Sequence, residues 1–318
     1  MDQGQEFVGK VTSTRPDLSV IVIAQRAEPT ASEAIRSLLD QAHVSACEVV
    51  VVAHSDSGPY LSLDDSLAVK VIYSSTRLSP GAARNAGVAA ASGSAIAFLA
   101  ADCVAEPGWI DGRVSLHRKG MRAVASAMTN AGPRTISGWA SHYALFASRL
   151  PGRAAGYVSH PDPAAHGLSY ERQLLADLGP FDEQLRIGED SDMAARLNSA
   201  GIRIWFDPSI RTGHRGPNNL RALVRDQFNR GARSAAHAAL RESISSVPDR
   251  PEASRLAVRR IRSVARFAWR HGEGERWRIA LLGPVIALAS ISYQWGWIQK
   301  TRMLVEASGD PSGHGVIR

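Results

Sequence analysis

Cysteine is nearly absent: of 318 residues only Cys47 and Cys103 carry thiols, and Cys47 leads straight into an apolar run. A disulfide framework is therefore not expected, and a reducing cytoplasm is the simplest home for the chain. No CxxC or Cys/His cluster has the spacing of a zinc site, and no GxGxxG or Walker pattern marks a phosphate-cradling loop. The segment before Asp17 has no apolar core of signal-peptide length, so export by that route is not expected. A long internal repeat is also missing, which excludes solenoid and propeller arrays. Hydrophobic content of 44% with 21% charged residues describes a globular chain rather than a disordered one.

What is present alternates between strand and helix. After a polar tail over residues 1–16, Ser19 to Ile23 reads as a strand, Thr30 to Gln41 as a helix, Glu48 to Val52 as a second strand and Ala68 to Tyr73 as a third. Such alternation predicts an α/β fold with a doubly wound, mostly parallel sheet flanked by helices, because parallel neighbours need crossover connections. The stretch Gly81 to Asp102 is the most informative. Its small residues, Ala82, Ala83, Ala86, Ala89 and Ala90, suit a helix packed tightly on a sheet, and Ser92-Gly93 stops it. Ala95 to Leu99 then forms a buried strand that carries Asp102 to its carboxyl edge, where open α/β sheets bind ligands. An Asp capping the turn before Pro107 is the alternative.

A second acidic cluster, Glu189-Asp190-Ser191-Asp192, opens a helix over Glu189 to Ser199. Carboxylates in a first turn are favoured by the helix dipole, so simple capping is one reading and chemistry the other. Trp109 and Trp205 are the aromatic residues open to stacking on a ligand ring, although Trp205 lies in a strand-like run that favours core packing.

Taken in order, ARNAG, FLAAD, LGPFDE, GEDSDMAARL, AGIRIWFDP and then His214 resemble the family 2 glycosyltransferases of the GT-A fold over roughly Leu18 to His214. The resemblance implies a GT-A domain over 17–215, a nucleotide-sugar donor (UDP- or GDP-sugar), Mn2+ or Mg2+, and inverting transfer to a hydroxyl of a lipid-linked or glycan acceptor in cell-envelope synthesis. It assigns Asp102 and His214, on a loop after Asp207-Pro208, to the metal. Asp190 becomes the catalytic base, with Glu189 beside it, and Asp192 and Trp109 go to the acceptor side. Arg84, Asn85, His54 and Asp56 go to the donor side. The chain departs from the family pattern where an acid is usual: Ala100-Ala101-Asp102 replaces an Asp-x-Asp triplet, Ala53-His54-Ser55-Asp56 replaces Asp-Asp-Gly-Ser, and Ala24-Gln25-Arg26 ends the first strand. These edits lie on the nucleotide side and keep a second reading open, a catalytically impaired binding or scaffold protein at the membrane.

Beyond the matched region, residues 216–278 hold 14 arginines, no lysine and six acids, an excess of eight positive charges where the whole chain has +7. A basic helical region suits nucleic acid or anionic lipid. Ile279 to Gln299 follows with 21 consecutive uncharged residues, flanked by Arg276, Arg278, Lys300 and Arg302 and carrying Trp295 and Trp297 near one end. That points to an anionic membrane surface rather than nucleic acid. Pro284, Ser290, Ser292 and Gln294 make 279–302 a mediocre spanning helix, so a tilted or interfacial segment, a hairpin with the basic helix, or a helix docked on the protein are the alternatives. Residues 303–318 form a short tail. The expected location is the cytoplasmic face of the cell membrane.

Overall fold

Val49 to Val52 and the apolar runs on either side of it in space build the centre of a sheet in the computed structural model, which describes residues 15–25, 29–42, 47–54, 69–158, 167–185, 188–241, 250–272 and 276–307. Four strands, β1 (Leu18–Ala24), β2 (Cys47–His54), β3 (Val69–Ser74) and β4 (Ala95–Ala100), run parallel in the order β3-β2-β1-β4. Helix α1 (Pro29–Ala42) follows β1, and α2 (Pro80–Ala90) links β3 to β4. Alternate strand residues face opposite layers: Val20, Val22, Val49 and Val51 pack with Ile35 and Leu38 of α1, whereas Ile21, Val50 and Val52 pack with Ala83 of α2. The sheet is therefore wound on both faces.

Further elements complete a mixed sheet: β5 (Cys103–Ala105), α3 (Trp109–Arg118), β6 (Ala123–Asn130), β7 (Gly156–Val158), β8 (Leu168–Glu171), α5 (Arg172–Leu178), α6 (Glu189–Ser199) and β9 (Ile204–His214). Strand order continues from β4 as β8-β6-β9-β5, with β7 on β9, and β4–β8, β6–β8, β5–β9 and β7–β9 are antiparallel. Helix α2 begins at a Ser79 cap that accepts from the Ala82 amide at 3.1 Å, with Pro80 at the first helical position. Its fit to the sheet needs glycine, since a Cβ on Gly87 would strike the Ile21 side chain, and one on Gly81 the Asp182 carbonyl. The Ser92-Gly93 stop wraps a carboxylate. Burial alone would raise Glu48, but hydrogen bonds from Ser19, Ser92 and the Gly93 amide hold it below its usual range.

By its internal contacts the chain divides into two compact units, 1–129 with 154–214, and 130–153 with 215–318. The second contains α4 (Ile136–Phe146), a single 3-10 turn (Ala147–Arg149), α7 (Leu220–Arg241), α8 (Arg250–His271) and α9 (Arg276–Ala307). Its core joins Tyr143, Leu223, Val264, Ala268, Ile279, Leu282 and Ile286. Helices α7 and α9 interlock at Gly231 and Gly296, where a Cβ would collide with the Tyr293 and Phe228 carbonyls. The segment Arg276–Glu306 is long and apolar enough, by length and composition, to cross a membrane, and 44% of its most apolar window is buried.

On α8, Val264 and Ala268 are buried, whereas Val258 is 44% exposed and Ala265 also faces out.

Candidate functional site

The chain reverses direction across the sheet between β1 and β4, since β2 and β3 lie on one side of β1 and β4 on the other. In a sheet of this kind the ligand crevice opens at the carboxyl ends of the strands flanking that switch point. Register fixes which residues reach it: Ile23 is opposite Ala100, Ala24 opposite Ala53, and His54 opposite Ser74. Gln25 follows β1 and Asp102 follows β4. The Gln25 side-chain oxygen accepts from the Leu78 amide at 2.9 Å, while its buried amide nitrogen has no hydrogen-bond partner among the described residues. A buried donor without a partner is costly, which marks Gln25 as a polar group at the carboxyl edge of β1. Its unusual place in Ala24-Gln25-Arg26 was visible in the sequence, but only the fold reveals the unmatched nitrogen.

Asp102 and His214 come together although they are 112 positions apart. Strands β5 and β9 pair Cys103 with His214, and the His214 Nε2 lies 3.5 Å from the Asp102 Oδ2. The imidazole is almost fully buried whereas the carboxylate is 43% exposed. The expectation that His214 lies on a loop is corrected: it is the last residue of β9, and strand pairing fixes its position. Beneath it, Thr212 accepts from the Trp109 indole at 2.8 Å and shares a hydrogen bond of 2.7 Å with Ser126. Trp109 itself is 0% exposed, and the Arg113 guanidinium stacks on its ring at 4.0 Å. A sugar cannot reach it, which corrects the reading of Trp109 as an acceptor contact.

A carboxylate suits manganese or magnesium, an imidazole beside it favours the transition ion manganese of the two, and these ions keep open positions for phosphate oxygens and water. Among the described residues no cluster of three or more His, Cys, Asp or Glu side chains gathers for a metal. The donor set of Asp102 and His214 thus fits a cation shared with a diphosphate and does not fit an all-protein cage.

The acidic helix packs on the α2 side of the sheet, its Met193 and Leu197 joining Ala83, Ile96 and Phe98. Gly188 starts α6 in a left-handed conformation, φ +89, that favours glycine. Glu189 is buried and ion-paired with the buried Arg84 of α2. The Arg84 guanidinium lies 5.8 Å from the Phe98 ring of β4 and 5.4 Å from that of Phe181. Burial lowers the Arg84 pKa, and the nearby Asp190 charge opposes that shift. Asp190 is half-buried, and its Oδ1 accepts from the Ser191 amide at 2.8 Å, while the N-cap position is Gly188 and carries no side-chain cap.

Other expected site residues have structural partners. Asn85 donates to the Phe181 carbonyl at 2.9 Å and to Glu183 at 2.8 Å, and accepts from the Phe181 amide at 2.9 Å. It ties α2 to the Phe181 segment, so its amide is spent on the fold. Asp192 pairs with Arg196 at 2.7 Å, and Arg196 in turn donates to the Leu178 and Gly179 carbonyls at 2.7 and 3.0 Å, closing the end of α5. His54 is buried at the end of β2. Asp56 lies outside the described residues.

Comparison with known proteins matches residues 19–179 to the family described as Glycosyl transferase family 2. The chain is 28% identical over 219 residues to the Pre-mycofactocin glycosyltransferase of Mycobacterium tuberculosis, which covers 63% of this chain and 44% of that protein. It is 31% identical over 209 residues to the Succinoglycan biosynthesis protein ExoO of Rhizobium meliloti, covering 61% of this chain and 59% of that protein. The chain therefore spans less than two thirds of each of these relatives. In fold it resembles the mannosyltransferase PcManGT from Pyrobaculum calidifontis in complex with GDP-Man and Mn2+, with a TM-score of 0.56 at 18% identity, over 92% of this chain and 89% of that one.

Proposed function

Because the chain belongs to glycosyl transferase family 2, we propose that it moves a sugar from a UDP- or GDP-sugar to a hydroxyl of a glycan or lipid-linked acceptor, with inversion at the anomeric carbon. In this reading the acceptor oxygen bonds to the anomeric carbon as the bond to the nucleoside diphosphate breaks. The acceptor proton passes to the Asp190 carboxylate, which is half-buried near the Arg84 guanidinium. Glu189 neutralises Arg84 and fixes the first turn of α6, so that Asp190 is aimed rather than loose. Gln25 offers its unmatched nitrogen to an acceptor atom of the donor nucleotide, with His54 nearby on the same strand edge.

Asp102 and His214 are the residues that would hold Mn2+ or Mg2+, which when bound supplies Lewis-acid stabilisation of the departing diphosphate. The PcManGT structure, solved with GDP-Man and Mn2+, shares the fold and supports a nucleotide sugar and a divalent ion here. A relative named for succinoglycan biosynthesis supports a glycan product. The expected location is the cytoplasmic face of the membrane, in keeping with the apolar α9 and the basic helix before it.

The single observation that carries this reading is the meeting of Asp102 with His214 at the edge where β4 ends. A second reading, a family member without turnover that binds partners, is favoured by Ala53 and Ala100, whose methyl groups join the core where the family pattern has acids. Calorimetry with a panel of nucleotide sugars, with and without manganese, separates the two. At least one donor is expected to bind only with metal, and Asp102→Ala is expected to abolish that dependence. If no donor binds under any metal condition, the scaffold reading replaces the transferase.

A further inference from the structure

Helix α9 has two unlike faces. Ile279, Leu282, Ile286 and Ala289 are buried among Tyr143 of α4, Leu223 of α7, and Val264 and Ala268 of α8. On the opposite side Trp277, Leu281, Leu288, Ile291 and Trp295 are exposed by 61, 71, 36, 51 and 55%. Spaced by four, seven, three and four, these five residues form one straight stripe about 27 Å long at 1.5 Å per residue. Soluble surfaces rarely expose a contiguous apolar patch of this kind without a use for it.

The outer face of α8 is of a different chemistry. Arg255, Arg259, Arg262 and Arg266 line an open groove of about 900 Å³ together with Val258 and two serines, and among the described residues that line it none is acidic. Trp269, 50% exposed, lies at the end of the same face, and Arg276, the first residue of α9, sits 5.6 Å from its ring. Trp277, the first member of the apolar stripe, follows Arg276 directly in the chain.

We propose that α8 and α9 together dock in the plane of an anionic bilayer, with the α9 stripe sunk among the acyl chains and the α8 arginines on lipid phosphates. This deepens the membrane location given above and is independent of the transfer chemistry. Charge selects the occupant: a second copy of this chain would set arginine against arginine, whereas anionic lipid answers each, at roughly 1 kcal/mol per basic residue near the surface. Packing selects the mode. For α9 to cross the bilayer it would have to leave α7 and α8, exposing Leu223 and Val264 to water, or draw their arginines into hydrocarbon at about 2.5–3.5 kcal/mol each. The interlock of Gly231 and Gly296 holds α9 to α7 against the first course. The polar residues of α9 are compatible with either burial or lipid, because Ser290 and Ser292 donate to the carbonyls of Ile286 and Leu288 at 2.9 and 2.8 Å.

The test is co-sedimentation of the full chain with phosphatidylcholine vesicles, with and without phosphatidylglycerol, alongside sedimentation velocity in their absence. Binding is expected only with phosphatidylglycerol, falling as salt is raised. The triple variant Trp277→Ser/Leu281→Ser/Trp295→Ser, at exposed positions that leave the core intact, is expected to bind about tenfold or more weakly. Arg259→Glu/Arg262→Glu is expected to remove the preference for anionic lipid while keeping the helical circular dichroism of the parent. Alkaline carbonate is expected to strip the protein from native membranes. Resistance to that extraction, equal binding by all variants, or a dimer dissolved by the stripe substitutions without any vesicle binding would each overturn the proposal. A chain that transfers sugar to a soluble acceptor yet ignores vesicles would overturn this inference and leave the transferase reading standing.

Discussion

A buried guanidinium is costly unless something answers its charge, and Arg84 is answered twice, by Glu189 in direct contact and by the more distant Asp190. The Phe98 and Phe181 rings, packed edge-to-face on each other at 5.3 Å, both lie within 6 Å of its guanidinium. Removing only the cation therefore leaves an uncompensated carboxylate. Arg84→Gln is expected to cost about 3–5 kcal/mol in urea denaturation, whereas Arg84→Met/Glu189→Leu recovers most of that loss because neither charge is then stranded. Asp102→Ala, at a half-exposed carboxylate, is expected to stay within about 0.5 kcal/mol of the parent. Equal costs for Arg84→Gln and the double variant would remove the pair from the account. The ARNAG segment was legible as part of a site, but Arg84 was read as facing the donor. Its partner lies 105 positions away, and no local pattern announces a pairing of that span.

At the scale of elements, α3 shows how docking sets a titration. His117 stands in its last turn, where the helix dipole favours a charged imidazole, yet its pKa is lowered to about 4, chiefly by burial and then by the Arg113 charge. Its Nε2 shares a hydrogen bond of 2.8 Å with Ser169 on β8. A folded-state pKa below the unfolded one makes this stabilisation complete above the unfolded value of about 6.5 and lost as the pH falls through it. Chemical denaturation is expected to show a decline of about 2 kcal/mol between pH 6.5 and 5, and His117→Gln is expected to flatten most of that slope. An unchanged slope would mean that α3 is not seated as described.

The elements themselves were unequally legible. β1, β2, β4, α2 and α6 follow from apolar runs, small residues and acidic first turns, and all five fall where the sequence places them. Strand β9 was cut short by Asp207-Pro208, because proline ordinarily ends a strand. Pro208 is tolerated since it lies between the stretch paired with β7, Ile204 to Phe206, and the stretch paired with β5, Thr212 to His214. Reading only the break hid the reason His214 is rigid. Trp109 shows the converse difficulty, for a tryptophan after Pro-Gly looks like a surface aromatic until Thr212 and Arg113 are seen to enclose it.

At the scale of the whole molecule, charge and apolarity are segregated along the chain, with arginine concentrated in 216–278 and the long uncharged run directly after it. Nothing in the sequence pattern marks 130–153 as the partner of those C-terminal helices, because α4 joins them through contacts distant in sequence, the packing of Tyr143 and the Arg278 guanidinium 4.3 Å from the Trp139 ring. Both units nevertheless serve one proposed task, chemistry at the carboxyl edge of a parallel sheet and attachment through a helical face. The central claim is that Asp190 accepts the acceptor proton. Release of nucleoside diphosphate from the best-binding donor, measured with manganese and an acceptor-containing lipid extract, tests it most directly: Asp190→Asn is expected to slow turnover by about 10²-fold or more while donor affinity stays within a factor of about two. Turnover by Asp190→Asn at the parental rate would contradict the account.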